Sequence, residues 1–296
     1  MSVGTIPVES AGAIQAAGGT AQPRRELIRR IARSKLFWVG AAILLFWVVC
    51  AIFGSLIAPD DPYAQNLEAI NQAPSGAHLF GTDALGRDML SRVIVGSRDI
   101  LIVAPLATVL GTILGTALGL LMGFFRGPVD DVLSRFVEAI LALPLVVTGI
   151  LAVVAVGHSH VTLILVIGLV FTPLIARTVR AAVLIERQLD YVAAARLRGE
   201  RAPYVMFVEI LPNVLAPIMV EFTVRLGYAI FTVAALSFLG FGIQLPSPDW
   251  GLEISQNYGQ VVAGYWWEVL FDALAIASLI VGVNFVSDAV EGVLER

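Results

Sequence analysis

The sequence predicts an all-α integral membrane protein with six transmembrane helices, and three observations lead there. Of 296 residues, 58% are hydrophobic and only 14% are charged, against about 45–50% and about 25% in ordinary soluble domains. Stretches free of Asp, Glu, Lys and Arg run for 24 residues after Lys35, 26 after Asp99 and 38 after Glu138, where a single helical crossing takes about 20. The basic residues also fall on alternate loops. Mean hydropathy is +0.85. A water-soluble enzyme, a secreted disulfide scaffold and a disordered chain all fit this composition poorly, and the single cysteine, Cys50, leaves no intrachain disulfide to form. The net charge of −4 says little about partners, because the distribution of charge matters more than its total in a membrane protein.

Residues 1–23 carry one charge, Glu9, among Ala, Gly and Ser, and read as a disordered tail. A basic segment, 24–35, precedes the first span, 36–58, which is too long and too late for a cleaved signal and reads as an uncleaved anchor. A loop over 59–98 leads to the second span, 99–124. The 38-residue run suits two spans, 137–156 and 161–184, parted at the polar cluster Gly157-His158-Ser159-His160. A polar loop over 189–211 precedes the fifth span, 212–239, which is interrupted by Glu221 and Arg225. A loop over 240–265 and a sixth span, 266–288, complete the chain. Fifteen of the 19 basic residues lie on the side shared with the N-terminus, and the 240–265 loop has none. Both termini are therefore expected in the cytoplasm.

The 59–98 loop opens with Pro59-Asp60-Asp61-Pro62 and contains Pro74-Ser75-Gly76, all turn chemistry. Thr82 or Asp83 is placed to cap a helix whose apolar positions Leu85, Met89, Val93 and Ile94 recur at helical spacing. That helix is either an interfacial lead into the second span or a docking surface for an external partner, with Asp83, Arg87 and Asp88, and Asp249 and Trp250 in the other outer loop, as docking candidates. Along the second span Gly111, Gly115, Gly119 and Gly123 recur every four residues, a ridge that lets another helix approach at backbone distance.

In the 189–211 loop Asp190 is placed to cap a short helix through Ala193, Ala194, Ala195 and Arg196, ended by Gly199. Pro203 opens a second amphipathic segment and Pro212 the next span. A small, smooth face beside Arg196, Arg198 and Arg201 suits either a groove in a cytoplasmic partner or the lipid surface. Glu221 and Arg225 stand i,i+4, acid first, the favourable order. Lipid exposure of either would cost about 2.5–3.5 kcal/mol, so they line the translocation path or neutralise each other at a helix contact. His158-x-His160 lacks the three or four ligands a metal site needs, and no metal site is expected. Asn284 and Asp288 read as a helix-end pair. The chain has no phosphate-binding loop, no HExxH and no nucleophile elbow. Any ATP-driven step must therefore draw on another chain.

Tyr191 to Asn213 resembles the cytoplasmic signature of ABC importer permeases: E-A-A, three residues, Gly, nine residues, two further positions, then Leu-Pro. Here Gly199 is followed by nine residues and then Glu209-Ile210-Leu211-Pro212. The 78–98 stretch HLFGTDALGRDMLSRVIVGSR, the LALP of 141–144, LSFLGFGIQLPSPDWG of 236–251 and the N-x3-D of 284–288 are similar to the dipeptide/oligopeptide/nickel permeases, specifically the C-type member of the pair. The similarity covers about residues 25–290. It implies a type I importer permease fold in the inner (plasma) membrane, with 189–211 as the coupling helix and Asp190, Ala193–Ala195, Arg196, Gly199, Glu209, Leu211 and Pro212 as its working residues. It further implies a sister permease as heterodimer partner, cytoplasmic ATPase subunits that bind ATP and Mg, an extracytoplasmic substrate-binding protein and surrounding lipid, with no cofactor in this chain and no nucleic acid. The chain departs from the pattern at Ala193, where the signature has Glu, and at Glu209, where the subfamily often has His. The resemblance leaves the cargo open among peptides, nickel chelates, glutathione and haem-like compounds. The alternative from the residues alone is a stand-alone carrier or channel that uses Glu221 and Arg225.

Overall fold

The computed structural model describes residues 33–294; the tail over 1–23, nearly all of the basic segment and Arg296 lie outside them. Among the described residues the secondary structure is helical: α1 Lys35–Ile57, α2 Met89–Phe125, α3 Pro128–Leu141, α4 Leu145–Val156, α5 His160–Glu186, α6 Asp190–Leu197, α7 Leu215–Phe238, α8 Trp250–Asn257 and α9 Trp267–Leu294. Five of these (α1, α2, α5, α7 and α9) are long and apolar enough to cross a membrane, and α3 with α4 makes a bent pair at 89°.

The centre of the bundle is the α2–α5 seam. A Cβ placed on Gly115 would stand 2.7 Å from the Ile175 side chain and 2.9 Å from the Thr172 carbonyl oxygen. Gly111, Gly119 and Gly123 meet 168–171, 176–179 and 180–183 in the same way. The spaced glycines therefore carry one continuous backbone-distance contact, filled by the buried Val103, Ala107, Phe171, Ile175, Val179 and Val183. Because both partners' numbers rise together, α2 and α5 run parallel, and the chain between them has to return along the bundle. Only α3 and α4 lie between them. The return is thus not the single straight helix expected over 137–156. Ala142, Leu143 and Pro144 break it, because Pro144 cannot donate to the α3 ladder and instead occupies the cap position of α4. At 12 residues, α4 alone spans only about 18 Å.

α1 packs antiparallel on α9, with Gly40 against Gly282 and Phe285 and the Trp47 indole N–H donating to Ser278 Oγ (2.9 Å). The bundle thus has two unlike ends. One, the cap, is built from 58–88, the start of α2, 240–266 and the start of α9. The other, the foot, is the 187–214 segment, and both described ends of the chain lie on its side. Two boundaries differ from the sequence expectation. α2 begins at Met89, capped by Asp88 through the Ser91 N–H (2.8 Å), not at Thr82 or Asp83. Asp83 instead turns the chain on itself by accepting from the Leu85 and Arg87 amides (2.8 and 2.9 Å), with Gly86 at φ +70. α7 begins at Leu215, after a tight turn over Leu211–Asn213, so Pro212 precedes the span and does not start it.

Candidate functional site

The foot is a helical hairpin pinned to the bundle by its own apolar residues. Val192 and Ala195 of α6 are fully buried, as are Val205 and Ile210 of the returning arm of the hairpin, which winds through Ala202–Tyr204 and a wide helical turn over Val205–Ile210. Gly199 ends α6 at φ +77, the left-handed cap conformation for which glycine is suited. Asp190 is the first residue of α6; Leu189 occupies the cap position and no side chain closes it. The expected Asp190 cap is therefore absent, and its carboxylate sits in the first turn, where it complements the helix dipole. Tyr191 ties the hairpin to α5 by donating to Glu186 Oε2 (2.6 Å). Burial, then that carboxylate, pushes its phenol up to about 12. The Asn213 side chain donates to Tyr191 Oη (3.2 Å) and to the Glu209 carbonyl (2.8 Å).

Two cations bind the foot to the end of α2. Arg187 donates to the Gly123 and Phe124 carbonyls (3.1 and 2.9 Å), closing orphan acceptors at a helix C-terminus. Arg196 lies 5.0 Å over the Phe124 ring. What the foot leaves outside includes apolar side chains: Leu197 is 89% exposed, Tyr204, Phe207 and Val208 of the returning arm are exposed too, and so are Ala193 and Ala194.

On α7, Glu221 and Arg225 form the expected intrahelical pair, Arg225 Nε donating to Glu221 Oε1 at 2.6 Å. Arg225 also lies 5.5 Å from the Tyr228 ring centroid. Tyr228 lines a cavity of about 350 Å³ between α7 and α9, with Val224, Gly227, Phe231, Ile280 and Asn284. Asn284 is thus ten residues inside α9 and faces this cavity, not a helix end.

In the cap, the candidates for external docking are turned inward. Asp83, Asp88, Asp249 and Trp250 are buried and Arg87 nearly so, which removes these five side chains from any docking surface. Arg87 pairs with Asp83 (2.5 Å), Asp88 caps α2, and the Trp250 indole donates to the Val93 carbonyl (2.9 Å). Asp249 caps α8 through the Leu252 amide (2.9 Å). At the centre, Arg92 grips Glu253 with both Nε (3.0 Å) and Nη2, and its Nη1 donates to the Pro62 carbonyl (2.6 Å). His160 pairs with Asp99 (3.0 Å) while His158 stacks toward Phe241, so the two histidines part.

Residues 115–296 match the family model described as the inner membrane component of binding-protein-dependent transport systems. Residues 22–74 match the N-terminal transmembrane domain of oligopeptide transport permease C. The chain is 35% identical over 273 residues to the "Dipeptide transport system permease protein DppC" of Alkalihalophilus pseudofirmus, covering 92% of this chain and 90% of that protein. It is 39% identical to the protein of the same name from Escherichia coli K12, covering 92% and 93%. It is also 34% identical to the "Di/tripeptide transport system permease protein DppC" of Pseudomonas aeruginosa, covering 92% of each. The chain belongs to this family of ABC importer permeases, as its C-type member. The permease is a multi-pass membrane protein, and a stand-alone carrier does not fit it.

The permease departs from its family signature at Glu209, and the structure shows what that residue does here. Arg198 Nη2 donates to Glu209 Oε1 (2.9 Å), closing the two arms of the foot on each other. Ala193 is exposed and leaves the outer face small. Several residues of weight had escaped sequence reading. Arg92 and Glu253 are 161 positions apart, beyond any local pattern. Leu197 stood in an arginine-rich stretch that drew attention to charge. Glu268 and Asp272 did offer a signal, two acids one turn apart at the start of an apolar helix. Both are fully buried, and their carboxylate oxygens accept no hydrogen bond.

Proposed function

We propose that this permease is one half of a heterodimeric pathway for peptides, energised by cytoplasmic ATPase subunits that hold the ATP and Mg²⁺. The foot is the coupling element and lies in the cytoplasm with both termini; the cap faces the opposite side and receives an extracytoplasmic binding protein. The observation that carries the reading is the foot's outer face. An isolated soluble end would not leave Leu197, Phe207 and Val208 outward on a hairpin otherwise pinned by buried Val192, Ala195 and Ile210. Such an unpartnered apolar patch marks a protein contact, and relatives named for dipeptide transport support the cargo class. Asp190, Ala193, Ala194, Arg196, Gly199, Leu211 and Pro212 shape the hairpin around that patch. The Glu221–Arg225 pair and the α7–α9 cavity form part of the pathway wall, offering one acid and one base to a zwitterionic solute.

The test is reconstitution of the permease with its sister subunit, ATPase and binding protein in liposomes. Leu197→Asp or Ala194→Asp abolishes ATP-dependent dipeptide uptake and its stimulation of ATP hydrolysis, while leaving membrane insertion and folding as in the wild type. Undiminished uptake by both variants overturns the assignment of the foot.

A further inference from the structure

The cap holds a cluster that neither the transport function nor the buried charge network uses. His78 Nδ1 lies 2.9 Å from Asp88 Oδ1 and 3.8 Å from Asp60 Oδ2. The three side chains present one ligand atom each within 4.8 Å of one another. They arrive from three separate places: the start of the linker after α1, the 75–78 turn, and the cap residue of α2.

Each is held from behind. Asp88 spends Oδ2 on the Ser91 amide and hydroxyl (2.8 and 2.7 Å), which leaves Oδ1 facing His78. The Asp60 backbone N–H donates to the same Ser91 Oγ (3.0 Å), so one serine positions both carboxylates. His78 is fixed by a turn in which its carbonyl accepts from the Ser75 and Gly81 amides (2.8 and 3.0 Å) and its own amide donates to Ser75 Oγ (3.2 Å). Asp88 is buried, His78 mostly buried and Asp60 half exposed, so the cluster is closed on the protein side and open to solvent on one side.

We propose that Asp60, His78 and Asp88 form a binding site for a divalent transition-metal cation of the Zn²⁺ type. One imidazole nitrogen and two carboxylates neutralise a +2 ion and leave a coordination position for water, as in three-ligand zinc sites. Bonds of about 2.0–2.2 Å in a tetrahedron put ligand atoms about 3.3–3.5 Å apart. The observed separations of 2.9 and 3.8 Å bracket that value, so small side-chain rotations suffice. The imidazole nitrogen disfavours Mg²⁺ and Ca²⁺, which take oxygen ligands. Bound metal joins the post-α1 linker and the 75–78 turn to the head of α2, adding to the Asp60–Ser91 and Arg92–Pro62 hydrogen bonds. A metal-free His78–Asp88 hydrogen bond is the competing description.

Isothermal titration of ZnCl₂ into the chelator-stripped, full-length chain in detergent, purified through a histidine-free tag, decides between them. One equivalent binds to the wild type and raises its melting temperature, whereas MgCl₂ does neither. His78→Gln and Asp60→Asn each weaken zinc binding at least about tenfold. Asp60 is half exposed, so its variant folds whatever happens at His78. His160→Gln, at the other ion-paired histidine, leaves binding unchanged. Absence of stoichiometric zinc binding, or equal binding by both ligand variants, overturns the site and leaves the hydrogen-bond description.

Discussion

Two of the arginine–glutamate pairs in this permease stand in opposite surroundings. Arg92 and Glu253 are both 0% exposed and join helices far apart in the chain. Arg225 and Glu221 are 19% and 12% exposed and sit one turn apart on α7, beside an open cavity. The first pair has no water to fall back on, so each partner is the other's main compensation, with Arg87 3.9 Å from Glu253 and the Pro62 carbonyl on Arg92 completing what makes burial tolerable. The second keeps some solvent and a ring face, so neither member depends wholly on the other. Identical chemistry thus acts as a fastener in one place and as a partly solvated surface pair beside a cavity in the other.

Breaking the fastener has the largest effect. Arg92→Met leaves Glu253 with only the more distant Arg87 and costs about 3–5 kcal/mol, seen as loss of monodisperse protein and a lowered melting temperature in detergent. The double variant Arg92→Met/Glu253→Leu sharpens the point by removing both charges, and it recovers most of that loss. If the double variant is as unstable as the single one, Arg92 acts through its Pro62 contact and not through the pair.

The Glu221–Arg225 pair, proposed as pathway wall, responds the other way. Glu221→Gln with Arg225→Leu shifts stability by less than about 1 kcal/mol but lowers dipeptide uptake by the reconstituted importer. Normal uptake returns the pair to a packing role.

The most gradual effect comes from Asp249, close to Glu253. Burial pushes its carboxyl up to about 7, aided by Asp99 and Glu253 and opposed by the Leu252 amide, against about 3.9 in an unfolded chain. Between those values the folded protein holds a proton that the unfolded chain has lost. Its contribution to stability is therefore full below about pH 4, falls as the pH rises through about 7, and then levels off. Asp249→Asn keeps the α8 cap and makes the decline in melting temperature over this range shallower. An unchanged slope assigns the pH response to other groups.

The contrast also explains what could be read from the sequence. Spans, the glycine ridge and the Glu221–Arg225 pair are written in local periodicity, and so is the short helix ended by Gly199. Their partners lie within a turn or repeat at a fixed spacing. The inward turn of Asp83, Arg87, Asp88, Asp249 and Trp250 was not legible, because polar residues in a loop look solvent-facing until the tertiary fold supplies their partners. The break at Ala142–Pro144 was hidden for a related reason. Apolar composition reports that a segment is buried or lipid-facing but not that it is straight, and only the 89° bend between α3 and α4 shows that the chain turns there.

The 37 residues of α2 make a rod about 55 Å long. Arg92 fixes its head into the cap, and Arg187 with Arg196 grips its tail at the foot. The glycine seam bolts it along its length to α5, which leads directly into the foot. A strut gripped at both ends has little slack in which to lose a displacement. One continuous helix, with Pro105 in its interior, thus ties the cap to the foot.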